Sequence, residues 1–448
     1  MSASLTPLGA TIASIRVEPP RTYAGNEDPF LFRRARTWLL LLALFFIAQA
    51  NGLFTRQDNT YWSLKDLGEH YDSKPNLMWL TVLMWTICLV LMVKGIGPTF
   101  RMMLKQQAML AFTFLAFLSA FWSQDPELTF RRAGLLFIVS AFAWFISSYY
   151  SPADQMRLLL ASGVIVALAC IAMALLLPQF GISSDGEWKG VFAQKNRMAL
   201  GVLFLFSGLP FVAIHYGRKL LTVTLQALLP IGLILLSKSR TALILAIVLV
   251  AVRILGPFIA SRRRDQLPFV LYSTVFGLPI LVFVLLEGKE FVLGLLGKES
   301  TLTGRTEHWA VLMPYMGHHF WLGYGYQDFW TGSGDSLTVV KMIGGAMKGS
   351  DSGYIDMMLQ FGFVGLFMLL IVLVISVRDF VRVYRQGSVP LVAYWYAGII
   401  LVTFVGSFAE ILFLTSSGVT TFIFVLACAG LRSLRREGAL HSAPRPGF

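Results

Sequence analysis

The chain is 448 residues long, 56% hydrophobic and only 14% charged, with a mean hydropathy of +0.68. Soluble globular domains carry about 25% charged residues, so this composition excludes an ordinary soluble protein and predicts one that crosses a membrane several times. The net charge of +13 would suggest a nucleic acid partner in a soluble chain, but in a membrane protein the distribution of charge must be examined first.

Apolar runs of about 20 residues are long enough to cross a bilayer as helices. Twelve such runs predict an all-α polytopic membrane protein with about twelve transmembrane helices, at 37–54, 76–97, 106–122, 133–149, 157–178, 198–214, 220–236, 241–260, 268–287, 354–377, 390–412 and 415–431. The predicted organisation is a cytoplasmic tail (1–36), spans one to nine (37–287), a large extracytoplasmic loop (288–353), spans ten to twelve (354–431) and a second cytoplasmic tail (432–448).

The charge distribution predicts the orientation. With the N terminus placed in the cytoplasm, the inner segments hold 22 of the 37 Lys and Arg residues but only 7 of the 24 acidic residues. Lys and Arg are retained on the cytoplasmic side during insertion, so both termini are predicted to be cytoplasmic and the loop 288–353 to face outward. The basic excess then follows from topology and requires no nucleic acid.

The loop 288–353 is the long polar interruption in the second half of the chain. A loop of this length is usually functional or disordered, and disordered segments are poor in aromatic residues. This one is rich in them, so we interpret it as a folded lid over an active site. His318 and His319 lack a third ligand of suitable spacing, so no metal site is predicted. Candidate substrate-binding groups in this loop are His308, Trp309, His319, Tyr324 and Tyr326.

Cations on the outer side are a second signal, because positive charge there opposes the topology. For any one of them, snorkelling to headgroups or pairing with an outer acid such as Glu287, Glu410 or Asp185 is the simpler interpretation. As a set from four loops they suit a phosphate or pyrophosphate, which takes several charge-assisted hydrogen bonds. The set comprises Arg131, Arg132, Lys189, Lys195, Arg197, Lys238, Arg240 and Arg305.

Arg240 is the sharpest case in this set. The polar segment Ser237–Arg240 is too short to be a free loop between two spans. The guanidinium of Arg240 is therefore predicted to point into the helix bundle.

Six short motifs occur in order along the chain. They are WSQDPELTFRR (122–132), GVFAQKNRMAL (190–200), SKSRTAL (237–243), LTGRTEHW (302–309), GYGYQDFW (323–330) and SGYIDMMLQFGFVGL (352–366). Through these motifs, residues 120–430 resemble the O-antigen ligase and polymerase superfamily, and most closely its ExoQ-like exopolysaccharide polymerase branch.

The resemblance implies an inverting, metal-independent glycosyltransferase without a cofactor, located in the bacterial inner membrane. The donor would be a glycan on undecaprenyl pyrophosphate and the acceptor a sugar hydroxyl of another lipid-linked unit. A flippase and a chain-length regulator of the same pathway are the expected protein partners. Family roles place Arg240 and Arg305 on the pyrophosphate, supported by Lys195, Asn196 and Arg131 or Arg132.

The last motif departs from the superfamily pattern. Members commonly carry His-Asn before its Gly-Tyr, and that histidine is their candidate base, whereas this chain has Asp351 and Ser352. Three alternatives stay open: Asp351 accepts the proton instead, a loop histidine reaches in, or electrostatics and positioning suffice. Asp351 is also interpretable as the N-cap of the tenth span.

Rival functions stay open as well. Twelve spans with both ends inside also fit a secondary transporter, although no pair of Gly- or Pro-interrupted spans is visible in corresponding positions. A second rival function is a flippase that binds lipid-linked glycan without catalysing a reaction. It stays open because this chain has Asp351 where superfamily members have their candidate catalytic histidine. Within the superfamily, these motifs do not separate a polymerase from an O-antigen ligase, whose acceptor is the lipid A core.

Overall fold

The computed structural model describes residues 36–44, 75–93, 95–209, 211–212, 220–262, 305–331, 334–343, 349–385, 389–415 and 418–442. In these ranges the chain is helical and forms no β-strand, apart from one isolated bridge between Ile182 and Trp188. The predicted span 268–287, most of 37–54 and residues 288–304 lie outside the described part. The prediction of an all-helical membrane protein is confirmed at this level.

Thirteen helices of ten or more residues are labelled here in chain order, after a shorter helical stretch at 36–44. They are α1 (Pro75–Val93), α2 (Ile96–Lys105), α3 (Gln107–Leu118), α4 (Pro126–Tyr149), α5 (Pro152–Leu176), α6 (Lys195–Phe206), α7 (Leu220–Leu236), α8 (Arg240–Arg262), α9 (Arg305–His318), α10 (Gly334–Ile343), α11 (Gly353–Arg385), α12 (Leu391–Gly406) and α13 (Val419–Ser442).

Most of these helices lie where the apolar runs predict them, and α7 has the predicted bounds 220–236. By length and composition, α4, α5 and α11 can each cross a membrane. A fourth candidate is the pair Trp85–Val93 and Ile96–Lys105, bent by 101°. The described part therefore holds three or four candidate spans, and the count of twelve stays a prediction.

Local sequence explains where two of the long helices begin. Asp125 precedes α4 and its carboxylate accepts the backbone N–H of Leu128 at 3.0 Å. Ser151 precedes α5 and its hydroxyl accepts the N–H of Asp154 at 3.2 Å. In both helices proline follows the cap, where its missing N–H costs nothing.

The core of the bundle is built around α13, which packs against α4, α11 and α12. The side chains of Phe422, Ile423 and Phe424 in this helix are fully buried. Large rings from its neighbours fill the same core, among them Phe142 of α4, at 5.7 Å from Phe422 between ring centroids. Close packing of these rings supplies van der Waals contacts that hold the helices together, since lipid is itself apolar.

The long helix α11 is interrupted at Gly362, whose φ of 61° and ψ of −155° leave the helical region. The backbone groups freed by this break pair with residues 320–325 of the preceding segment. The four bonds are Tyr324 N–H to Leu359 O (2.8 Å), Gly325 N–H to Gln360 O (3.0 Å), Phe363 N–H to Phe320 O (2.7 Å) and Val364 N–H to Trp321 O (3.2 Å). A broken helix in a membrane protein requires such partners, because lipid offers none.

Candidate functional site

Several helix ends meet at one end of the bundle, here called the site end: the starts of α4, α6, α8 and α11, the end of α7, and the segments 183–194, 319–331 and 407–415. The alternating topology predicts that these ends share one side of the membrane. Their hydrogen bonds to one another, described below, establish that they lie together.

Asn196 and Glu410 form the central contact of the site end. The side-chain amide of Asn196, in the first turn of α6, donates to the carboxylate of Glu410 at 2.5 Å. The backbone O of Glu410 accepts the N–H of Gly353 at 3.1 Å. This pair of bonds joins α6, the segment 407–415 and the first residue of α11.

Lys195 is the first residue of α6, and its ammonium group donates to the carboxylate of Glu187 at 2.6 Å. The next residue after Glu187, Trp188, donates its backbone N–H to Leu236 O at 3.2 Å. The segment 183–194 therefore lies between Lys195 and the turn that connects α7 to α8. Two predicted substrate-binding segments, 195–197 and 237–240, are thus brought to the same region.

The segment 319–331 is fixed to the start of α4 by charged groups. Arg132 donates from its guanidinium to Gln327 O. The buried carboxylate of Asp328 accepts the backbone N–H groups of Gln124 at 2.6 Å and Asp125 at 3.2 Å. Burial raises the pKa of Asp328, and the two N–H donors offset part of that rise. Arg132 therefore acts in this structure as a support for the segment 319–331.

Asp351 is exposed, while its neighbours Ser350 and Ser352 are buried. Its φ of 53° lies in the left-handed region, which only a small fraction of non-glycine residues adopt. Ser352 O accepts the N–H of Asp356 at 3.0 Å, so Ser352 occupies the N-cap position of α11. The interpretation of Asp351 as that cap was therefore wrong, and its carboxylate is presented at the surface of the site end.

Tyr324 and Tyr326, two of the predicted substrate-binding groups, are buried, which does not support direct contact with a substrate. Tyr326 is stacked on Phe361 and donates its hydroxyl to Leu414 O. Tyr324 donates to Asp335 at 2.6 Å, and this hydrogen bond lowers the pKa of the Asp335 carboxyl. Both tyrosines hold the segment 319–331 in place.

His308 and Trp309 are half-buried in the first two turns of α9. Trp309 donates its indole N–H to Ser350 O at 2.8 Å, directly before Asp351. His319 is exposed and lies 4.3 Å from Tyr324 between ring centroids. The structure thus brings Trp309 next to the candidate base, while His319 lies exposed at the start of the segment 319–331.

Arg240 lies at the surface as the first residue of α8. The prediction that its guanidinium points into the bundle was wrong, because Ser237 and Ser239 take the buried positions of this turn. Lys238 adopts a φ of 52°, and this left-handed residue turns its own side chain outward, where it is exposed. The short turn is therefore closed by two serines and presents two cations.

The remaining predicted cations differ in what the structure describes. Arg131 and Arg197 are exposed at the starts of α4 and α6. Arg305 begins α9, but its side chain lies outside the described part. The joint binding of one anion by Arg240 and Arg305 therefore stays a prediction.

Two buried acids of this end, Glu410 and Asp356, were not among the predicted site residues; they are 9% and 4% exposed. Lys189, a member of the predicted cation set, is fully buried. The sequence signal for the two acids is a charged residue beside or within an apolar run, where charge is costly without a partner. Within the ranges that the structure describes, no three His, Cys, Asp or Glu side chains could hold a metal ion.

The fold and the site end define a polytopic helical membrane protein that presents cations and carboxylates where its helix ends meet. The family model described as O-antigen ligase matches residues 225–370, a range that holds the turn 237–240, α9, the segment 319–331 and the break in α11. This match bears out the resemblance to the O-antigen ligase and polymerase superfamily.

One curated relative is similar over most of its length. The exopolysaccharide production protein ExoQ of Rhizobium meliloti (strain 1021) is 28% identical over 355 residues, which cover 73% of this chain and 78% of the relative. The two comparisons together indicate a membrane protein of the polysaccharide polymerase or ligase kind.

Proposed function

We propose that this protein is a membrane glycosyltransferase that polymerises undecaprenyl-pyrophosphate-linked repeat units into exopolysaccharide or O-antigen on the outer face of the bacterial inner membrane. The observation that carries this proposal is the convergence of separate sequence motifs at the site end. Asn196 donates to Glu410 and Trp309 donates to Ser350 O, while Lys195 and Arg132 join their motifs to Glu187 and to the segment 319–331.

The reaction would join an acceptor hydroxyl to the anomeric carbon of the donor glycan. The acceptor oxygen forms the new C–O bond while the bond from the anomeric carbon to the phosphate oxygen breaks, and undecaprenyl pyrophosphate leaves with the bonding electron pair. The hydroxyl proton passes to a carboxylate, for which exposed Asp351 is the candidate. The donor's own phosphoester supplies the driving force, so no cofactor is required.

Exposed cations at the site end suit the leaving group. Arg240 and Lys238 project from a turn that serine side chains close tightly: Ser239 N–H donates to the Ser237 hydroxyl at 3.2 Å. Positive charge held next to a leaving group stabilises the negative charge that develops on a departing pyrophosphate. Arg305 and Arg131 are proposed to complete this set, with Arg197 at its edge.

A ligase is the second candidate, because the matching family model is described as O-antigen ligase. The experiment that separates the two is deletion of the gene followed by analysis of the glycan. Single repeat units that accumulate on lipid support polymerase, and long polymer that stays unattached to lipid A supports ligase. A normal surface polysaccharide in the deletion strain contradicts both, and lipid-linked units trapped on the cytoplasmic side indicate transport.

A further inference from the structure

The segment 349–353 holds its backbone in an unusual conformation by hydrogen bonds on both sides of Asp351. Before it, the Ser350 hydroxyl donates to Ser352 O at 2.7 Å and accepts the Ser352 N–H at 3.3 Å. After it, Gly353 N–H donates to Ser407 O at 2.7 Å. The left-handed conformation of Asp351 is therefore imposed by its neighbours.

The buried side chain of Asp356 also holds the segment 349–353 in this conformation. One oxygen of its carboxylate accepts both the backbone N–H of Ser350 and the indole N–H of Trp330, each at 3.1 Å. Asp356 is 4% exposed and lies in the first turn of α11, where the helix dipole favours negative charge. It therefore ties the segment 349–353 to α11 and to the segment 319–331 at the same time.

We propose that Asp356 is a positioning residue for the transfer reaction: it acts through Ser350 and Trp330 to hold the segment 349–353 in the conformation that presents Asp351 to the acceptor. This inference rests on the proposed function and on Asp351 as its proton acceptor. A purely structural Asp356 would stabilise the start of α11 and would leave the turnover of each folded molecule unchanged.

The test uses full-length protein in lipid nanodiscs, with lipid-linked repeat units extracted from the deletion strain as donor and acceptor. Asp356→Asn is expected to lower kcat by about tenfold or more, because small displacements of a catalytic group are costly, and to leave KM within about twofold. The double variant Asp351→Asn with Asp356→Asn is expected to be no slower than Asp351→Asn alone, since Asp356 acts only through Asp351.

Two further variants keep the test decisive. Trp330→Phe removes one donor to Asp356 but keeps an aromatic ring, so it is expected to lower kcat less than Asp356→Asn does, and it replaces that variant if Asp356→Asn fails to fold. The control is Asp335→Asn, which changes the carboxylate in α10 that accepts a hydrogen bond from Tyr324. This variant is expected to turn over at the wild-type rate.

The outcomes separate this inference from the proposed function. The positioning role is overturned if Asp356→Asn keeps the wild-type kcat, or if the losses of the two single variants multiply in the double variant. The proposed function still stands in either case, provided that the wild-type protein polymerises the lipid-linked units. A wild-type protein that neither extends nor transfers the lipid-linked units overturns both.

Discussion

Asn196 and Glu410 are separated by 214 residues, yet the amide of one donates to the carboxylate of the other at 2.5 Å. This hydrogen bond fastens the first turn of α6 to the segment 407–415, and the backbone of Glu410 fastens that segment to α11. Since Glu410 is only 9% exposed, its negative charge has little access to water and depends on such donors. One neutral amide therefore links the start of α6, through the segment 407–415, to the start of α11.

Exchanging the two groups tests this contact. Asn196→Asp sets two carboxylates against each other, and is expected to lower the free energy of unfolding by about 2–4 kcal/mol and to abolish activity. Adding Glu410→Gln restores an amide–carboxylate bond with donor and acceptor reversed, so the melting temperature in detergent should recover. A double variant no more stable than Asn196→Asp would show that the bond contributes nothing.

Gly362 provides a backbone test. A Cβ at this position would lie 2.4 Å from the carbonyl carbon of Trp321, and its φ of 61° disfavours any L side chain. Gly362→Ala is therefore expected to destabilise the protein by about 2 kcal/mol or more. The matched control is Gly134→Ala in α4, where a Cβ meets nothing within 4 Å and a gain of about 0.5–1 kcal/mol is expected. Thermal unfolding of the two purified variants measures both, and equal melting temperatures would refute the strain at the break.

Asp351 is tested with residues that tolerate its backbone conformation. Glycine and asparagine both accept a positive φ, so Asp351→Gly and Asp351→Asn should fold as well as the wild type. If the carboxylate accepts the acceptor's proton, both variants should lose about 10²- to 10⁴-fold in turnover. Single-turnover extension of lipid-linked units measures this loss. Turnover at the wild-type rate in Asp351→Asn would assign the proton to another group.

The cations are tested by truncation. Arg240→Ala and Arg305→Ala are each expected to lower turnover by about 10²- to 10³-fold, because a fixed donor to the leaving group is lost, while membrane insertion stays intact. Arg157→Ala is the control: its guanidinium is half-exposed and lies 3.6 Å from Asp154 at the start of α5, away from the contacts of the site end. Polymer length on gels of membrane extracts gives the comparison. Long polymer from Arg305→Ala would remove Arg305 from the proposed site.

The long apolar helices were predictable because hydropathy alone marks them. The pattern placed α7 at its observed bounds, since the polar residues of SKSR interrupt two apolar runs. It missed α2, which carries polar and apolar residues on opposite faces and bends sharply away from α1. It also missed the break at Gly362, because the residues on both sides of that glycine are apolar and hydropathy does not register φ.

The sequence predicted which residue types occur at the site end better than it predicted which way their side chains point. The motifs include Lys195, Asn196 and Trp309, and in the structure each of these side chains contacts groups of the site end; their role in substrate binding stays a prediction. Whether Arg240 faces inward, or Tyr326 outward, depends on which small residues fill a turn and which rings fill a core. Those choices are made by partners distant in sequence, such as Leu414 for Tyr326.

The hydrogen bonds across the break in α11 have a consequence for engineering. Four backbone groups of α11, Leu359 O, Gln360 O, Phe363 N–H and Val364 N–H, have their partners in 320–325, so removing or replacing the segment 320–325 alone would leave them unpaired. A chimera that takes the segment 320–325 from a relative must also take the matching residues 359–364 of α11. The two pieces, separated by some thirty residues of chain, form one exchangeable module.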